Sequence, residues 1–399
     1  MTPNEIEYIP EKLTKLFRGL QLDILNDLVR RIAKNREITS TADWEIKRLY
    51  ELGAAKEVIK RSIQRTLRLS AAEIDSIYAN VLAEDYVRYE PIYKRLGKSF
   101  IPFRENKQLQ QIINGFAKQT KNELANITQS LGFAIKRLDG SVTYTPLSKG
   151  YQQILDKAMM NLTSGAFDYN TVIKKAVIDL SNSGLRTIEY ATEQPTGVTT
   201  IHSNRVDVAA RRALMTGFNQ VVGRITEDNA EKLGAEYFEV TWHRGARPTH
   251  QPWQGRVYTK EQLVSVCGYG DVAGLKGANC RHDFSPFFPG IDKRIYTDEQ
   301  LDKMNAEENT PREYKGKEYT VYEATQRQRQ LESRMRIERE KIALLESGGA
   351  DDETIDAKKA HYHAISSEYA QFSKAMKLPQ QRERVNIGTA AGVDVSYGV

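Results

Sequence analysis

Cysteine is almost missing from this chain. Its 399 residues hold two, Cys267 and Cys280, with three tryptophans and six histidines. That excludes a disulfide framework, and in a reducing compartment it points to free thiols or metal ligands rather than a bridge. No run of about 18 apolar residues occurs, so no membrane-spanning helix is expected. The opening MTPNEIEYIPEKL lacks the basic-then-apolar order of a signal peptide, and the chain is expected to start in a cytoplasm. Also missing are the GxxxxGK[ST] loop and a GxGxxG turn after a strand, which argues against nucleotide hydrolysis. Neither HExxH nor GxSxG before a helix is present, so the commonest metalloprotease and serine hydrolase patterns are absent too. Charge of one sign is weak: the net value is +6, the pI about 9.0, and acids interleave the bases almost everywhere. Such a balance fits contact with nucleic acid without requiring it.

What is present is a soluble composition, 40% hydrophobic and 28% charged, in a chain long enough for two or three domains. The pattern predicts a mainly α fold: a helical bundle, a compact α+β insert rich in Gly, Pro, Cys and His, and a C-terminal helical hairpin. The expected segments are an N-terminal helical domain over 1–140, a helical core over 141–236, a Cys/His β-rich module over 237–292, and a hairpin with tail over 293–399. In the first, Leu13, Leu16, Phe17, Leu20, Ile24 and Leu28 recur at helical spacing after Pro10. A short helix from Thr41 is expected to end at Gly53, and Ser70 with Glu73 reads as a capping box opening another. A further helix runs from about Asn106 to Leu131. Three helices stopped by Gly165, Gly184 and Gly234 follow, the last entered from a loop holding Pro195 and Gly197 and starting near Asn204. Arg211 and Arg212 on it read as solvated or salt-bridged. Beyond the module, residues 319–346 and 354–376 form the hairpin, and Glu338 interrupts a heptad seam of Leu331, Met335, Ile342 and Leu345. His361 and His363 read as solvent-exposed bystanders. The tail from Ile387 is expected to be loose.

Chemistry concentrates between Thr241 and Gly290, which holds both cysteines, three histidines and two tryptophans. Strands are expected over Tyr237–His243, Gly255–Tyr258 and Cys280–Phe284. His250, Cys267, Cys280 and His282, with His243 as an alternative ligand, are candidates for a structural zinc, because thiolate and imidazole are the donors zinc selects. An extended Cys280-Arg-His282 puts both side chains on one face, and the loop can bring Cys267 and a histidine opposite. The spacing is not the C-x-x-C of a zinc knuckle, so packing and hydrogen bonding to loop backbone stay the default reading. A Cys280 nucleophile paired with His282 or His250 and oriented by Asn279 is the third.

The strings themselves look familiar. His243-Arg-Gly-Ala-Arg-Pro-Thr-His250, Trp253-Gln-Gly255-Arg-Val257, Tyr269-Gly270, Gly274-Leu275, Gly277-Ala-Asn-Cys280-Arg-His282 and Pro286-Phe-Phe-Pro-Gly290 resemble the phage minor capsid protein 2 family, itself related to the Mu F-like head morphogenesis proteins. Val206-Asp-Val-Ala-Ala-Arg-Arg212 through Thr216, and Gln328-Arg-Gln-Leu-Glu332 with Arg336, resemble it as well. The match covers about residues 145–385. The resemblance implies a structural virion protein of a tailed phage or prophage, made in the bacterial host cytoplasm and held on the capsid interior near the portal. Its implied partners are portal and capsid proteins, with double-stranded DNA as a further one, and no membrane or small-molecule substrate. It implies no enzyme activity. DNA guidance during packaging or ejection, and a zinc- or cysteine-dependent maturation enzyme, are the competing expectations.

Overall fold

The computed structural model describes residues 2–136, 140–193 and 199–388. One short helix and two long ones open the chain: α1 (Pro3–Tyr8), α2 (Glu11–Lys34) and α3 (Thr41–Ser76). After a π-helical turn come α4 (Leu82–Tyr86), α5 (Glu90–Arg95) and α6 (Lys107–Gln129). Asn106 caps α6 by accepting from the Leu109 amide at 3.0 Å, where the sequence placed its start. The helix expected to stop at Gly53 does not stop. α3 runs 36 residues through Gly53 and absorbs the capping pattern at Ser70. Its buried positions, Trp44, Glu51, Ala55, Ser62, Thr66, Ser70 and Ile74, step by sevens and fours and pack on α2. One interior glycine costs about 1 kcal/mol of helix propensity, and that continuous buried seam outweighs it.

Then come strands that the helical periodicity hid. β1 (Leu131–Lys136) and β2 (Val142–Pro146) precede α7 (Leu147–Thr163) and α8 (Tyr169–Ser183). β3 (Arg186–Glu193) and β4 (Thr199–Arg205) follow, and the four strands form one antiparallel sheet in the order β2-β1-β3-β4. The expected loop holding Pro195 and Gly197 lies outside the described residues. What was expected to be loop and helix start at Asn204 is β4, paired Thr187↔Asn204 with β3. α9 (Val206–Leu233) begins one residue after that strand and ends at Gly234, which adopts the left-handed conformation that glycine tolerates.

The module is a second sheet, β6-β5-β7, with β5 (Tyr237–Val240) between β6 (Val257–Thr259) and β7 (Phe284–Phe287). The third strand sits later than expected, because its ladder with β5 begins at Phe284, opposite Val240. α10 (Lys260–Ser265) and α11 (Asp298–Asn309) flank it, and β8 (Arg312–Tyr314) with β9 (Lys317–Tyr319) leads to the hairpin of α12 (Val321–Ser347) and α13 (Asp352–Ala375). Glu338 is buried in that hairpin and answered by Lys341 at 2.8 Å and His361 at 3.2 Å, so the break in the seam is a polar lock. His361 is therefore a partner as well as a half-exposed side chain.

One hydrophobic cluster joins the ends of the chain. It runs from Leu13 through the helices of residues 147–233 to Leu344, Ile355 and Ile387. The module has its own cluster of Ala230, Phe238, Val240, Trp253, Leu263, Cys267, Leu275, Cys280 and Phe284. Buried charge clamps the pieces together. Asp207 on α9 faces Arg18 of α2 at 3.2 Å, Arg336 of α12 at 3.6 Å and Arg205 at 4.0 Å. Glu7 of α1 pairs with Arg281 and Arg384, and with Arg329 at 3.5 Å. After the 3-10 turn Arg382–Val385, Gly388 lies against α2 so closely that a Cβ there would meet the Lys15 carbonyl oxygen at 2.6 Å.

Candidate metal centre

Two loops of the module converge. The first leaves β5 and carries His243 and His250. Its Gly245 sits at φ +71, and its amide donates to Glu308 Oε2 at 2.6 Å. The second runs from Cys267 to Asp283 and folds back tightly on itself. A Cβ on Gly274 would lie 1.9 Å from the Gly268 carbonyl oxygen, and one on Gly277 would lie 2.4 Å from that of Val272. Only glycine permits that approach, and it delivers Cys280 to the same point as His250 and His282. These three side chains are buried, with their ligand atoms within 4.8 Å of one another.

Hydrogen bonds fix which atoms face inward. His250 Nε2 lies 2.9 Å from the Ala273 carbonyl, which can only accept, so Nε2 carries the proton and Nδ1 keeps its lone pair. Gln254 Oε1 accepts the His243 backbone N–H at 3.1 Å, which identifies it as the oxygen. His282 Nε2, 3.0 Å from that oxygen, is therefore the donor, and its Nδ1 is bare as well. Gln254 Nε2 donates to Asn305 Oδ1 at 3.2 Å, and that oxygen also accepts from the Trp242 indole at 3.3 Å. The two bare nitrogens face each other at 3.4 Å, with Cys280 Sγ at 3.9 Å from His250 Nδ1 and 3.5 Å from His282 Nδ1. The Trp253 ring covers the pair, at 4.4 Å from the His250 ring centroid and 4.8 Å from that of His282.

Electrostatics keep both imidazoles neutral. Burial, aided by Arg247, pushes His250 down to about 4. Burial, then His243 and His250, holds His282 well below its ordinary value. Neutral imidazole is the form that binds a metal. Burial raises the Cys280 thiol, the opposite of what activates a free nucleophile.

Of the five candidate ligands the structure brings together three. Cys267 lies outside that cluster, packed with Leu263, Leu275 and Phe284 in the module core, and burial with the neighbouring Cys280 pushes its thiol up to about 12. His243 stacks on His282 with ring centroids 4.2 Å apart, and its Nδ1 bonds the Arg244 carbonyl at 3.0 Å. Asn279, the expected orienter, sits at φ +57 as a turn residue. Sequence reading missed Gln254 and Asn305, the partners that set the tautomers. It also missed Arg88, which reaches Asp283 at 2.7 Å from the turn between α4 and α5. Nothing in local spacing marks a residue that acts from another element. Arg212 pairs with Glu189, whereas Arg211, its neighbour, has a buried Nη1 without a hydrogen-bond partner.

Comparison with known proteins fits the strings noted above. The model of a family described as phage minor capsid protein 2 matches residues 1–372. The chain is also similar to a protein named "Structural protein" from Lactococcus phage LL-H, 23% identical over 323 residues, which span 75% of this chain and 80% of that one. No solved structure matches.

Proposed function

The chain belongs to the phage minor capsid protein 2 family and is a structural phage protein, and from that premise we propose that it is a minor head protein attached to the portal on the capsid interior. The observation carrying this is the family match over residues 1–372, together with a surface suited to a protein neighbour. On α3, Ile46, Leu49 and Tyr50 are 80%, 80% and 73% exposed on one helix face. Large apolar side chains in a row at i, i+3 and i+4 mark a contact surface more often than a bare one. Among the described residues no helix is long and apolar enough to cross a membrane. The protein carries out no reaction in this reading. Its Cys/His cluster serves as a buried staple of the module, and zinc is the ion that two nitrogens and a sulfur select. Mass spectrometry of purified virions tests the assignment: the protein is expected in particles, at reduced level for Ile46→Glu/Tyr50→Glu, and its absence from wild-type particles overturns the reading.

A second reading, contact with packaged duplex DNA, has one specific support. A groove of about 480 Å³ on α12 is lined by Gln326, Arg327, Arg329, Gln330, Ser333 and Arg334, where Arg327 also pairs with Glu368 at 2.7 Å and Arg329 with Glu7 at 3.5 Å. Guanidinium, amide and hydroxyl donors are the groups that meet phosphate oxygens. Filter binding of a duplex is expected to weaken steeply with salt and to weaken further in Arg334→Ala. A flat salt response refutes it.

A further inference from the structure

The donor triangle in the module has the dimensions of one face of a zinc tetrahedron. Zinc bonds of about 2.0–2.1 Å to nitrogen and about 2.3 Å to sulfur, at the tetrahedral angle, place two nitrogens about 3.3 Å apart and each about 3.6 Å from the sulfur. The observed edges are 3.4 Å between the nitrogens, and 3.5 and 3.9 Å to the sulfur. Two bare nitrogens facing each other share a single proton, that of the thiol, so without a cation one lone pair is left unanswered in a buried site. Both histidines are oriented from behind, by the Ala273 carbonyl and by Gln254 backed by Asn305, the arrangement that holds metal-ligating imidazoles.

The segment carrying two of these donors has a second face. Cys280 and His282 point into the cluster. Arg281 and Asp283, alternating with them, point to the helical body: Arg281 pairs with Glu7 of α1, and Asp283 with Arg88 at 2.7 Å. Glu7 in turn holds Arg384 of the C-terminal segment. The Cys280 carbonyl accepts from Asn219 of α9 at 3.3 Å. Arg281 thus links the cluster to the N-terminal segment and, through Glu7, to the C-terminal one, while Asp283 and the Cys280 carbonyl tie it to Arg88 and α9 of the helical body.

Resting on the staple reading above, we propose that one zinc ion is held by His250 Nδ1, His282 Nδ1 and Cys280 Sγ, with Cys267 outside the ligand set, and that the ion fixes Cys280–Asp283 as the clasp between the module and the two terminal segments.

The test is elemental analysis of the full-length protein, with hydrogen exchange before and after chelation. One zinc per chain is expected in wild type and in Cys267→Ser, and none in Cys280→Ser. Equal loss in Cys267→Ser and Cys280→Ser overturns the ligand set, and no zinc in wild type overturns the staple along with it. Should Cys280→Ser fail to fold, cobalt-loaded wild type and Cys267→Ser answer instead. Both are expected to show thiolate-to-cobalt absorption of one sulfur, and halving of that band in Cys267→Ser overturns the set. Chelation is expected to speed amide exchange at least tenfold over residues 3–8 and 382–388. Unchanged exchange there, with zinc gone, overturns the clasp while leaving the staple standing.

Discussion

Replacing Asp207 with Asn removes a charge while keeping the shape. Asp207 is 3% exposed and faces three arginines from separate parts of the chain: Arg18 on α2, Arg205 at the end of β4, and Arg336 on α12. Burial alone would raise its pKa, but Arg336, Arg18 and Arg205 together outweigh that and hold the carboxyl well below its usual range. Arg205 keeps Glu340 at 3.4 Å as a second partner, so the orphaned charge falls mostly on Arg18 and Arg336. Removing one partner from a buried ion cluster costs ~3–5 kcal/mol. A chain of 399 residues has an unfolding entropy of about 0.8 kcal/mol/K at ~2.1 cal/mol/K per residue, so ~4 kcal/mol lowers Tm by about 5 °C. The assay is calorimetric melting of both proteins across pH. Because the folded pKa is depressed, the stabilisation is complete above the ordinary Asp value of about 3.9 and is lost as pH falls toward the folded value. The gap between wild type and Asp207→Asn is therefore full at neutral pH and narrows in acid. Adding Arg336→Met to Asp207→Asn is expected to recover part of the loss, since one stranded cation is gone. A Tm within about 1 °C of wild type at pH 7 refutes the reasoning.

Gly217→Ala puts a Cβ 2.3 Å from Thr120 Oγ1 and 2.7 Å from the Tyr78 hydroxyl, against the 2.9 Å bond between those groups. A loss of ~1–3 kcal/mol is expected in denaturant titration. Gly53→Ala, on a helix face with nothing within 4 Å, is expected to gain about 0.5–1 kcal/mol in the same titration. Leu331→Ala opens a cavity in the fully buried hairpin core beside Met335 and Tyr369, and is expected to cost ~2–5 kcal/mol by thermal melting. Thr320→Ala removes the hydroxyl of the capping box that opens α12, with an expected cost of ~0.5–2 kcal/mol.

Helix ends were legible wherever glycine supplied a conformation that other residues resist. Gly165, Gly184 and Gly234 all have positive φ at or just past a helix end. Gly53 was misread by the same rule, because glycine permits a stop without imposing one and the buried face of α3 carried the helix through. The four-stranded sheet went unread for a different reason. The strand sequences LGFAIK, VTYTP, RTIEYATE and TTIHSNR are short, and their pairing, such as Ala134↔Tyr144, is made between segments whose partnership no local pattern announces. In the candidate metal centre the donor types were visible as a concentration of Cys and His. Their selection was not: whether Cys267 or His250 joins Cys280 depends on how glycines 274 and 277 fold the loop, and the tautomers depend on Gln254 and Asn305 across the module.

The shared core also sets a clock. Leu13 and Phe17 pack in one cluster with Ile387, roughly 370 positions later. At about 5–20 residues per second, a ribosome needs roughly 20–75 s to travel that distance. During that interval the first long helix has been made, but the segment that seals its far side has not. The chain therefore cannot close around its N-terminal helices until the segment near Ile387 has been made, and a copy stopped short of it lacks the sealed body on which the Glu7–Arg281–Arg384 bridge depends. Order of synthesis thus makes the packed body depend on a segment made long after the helices it covers.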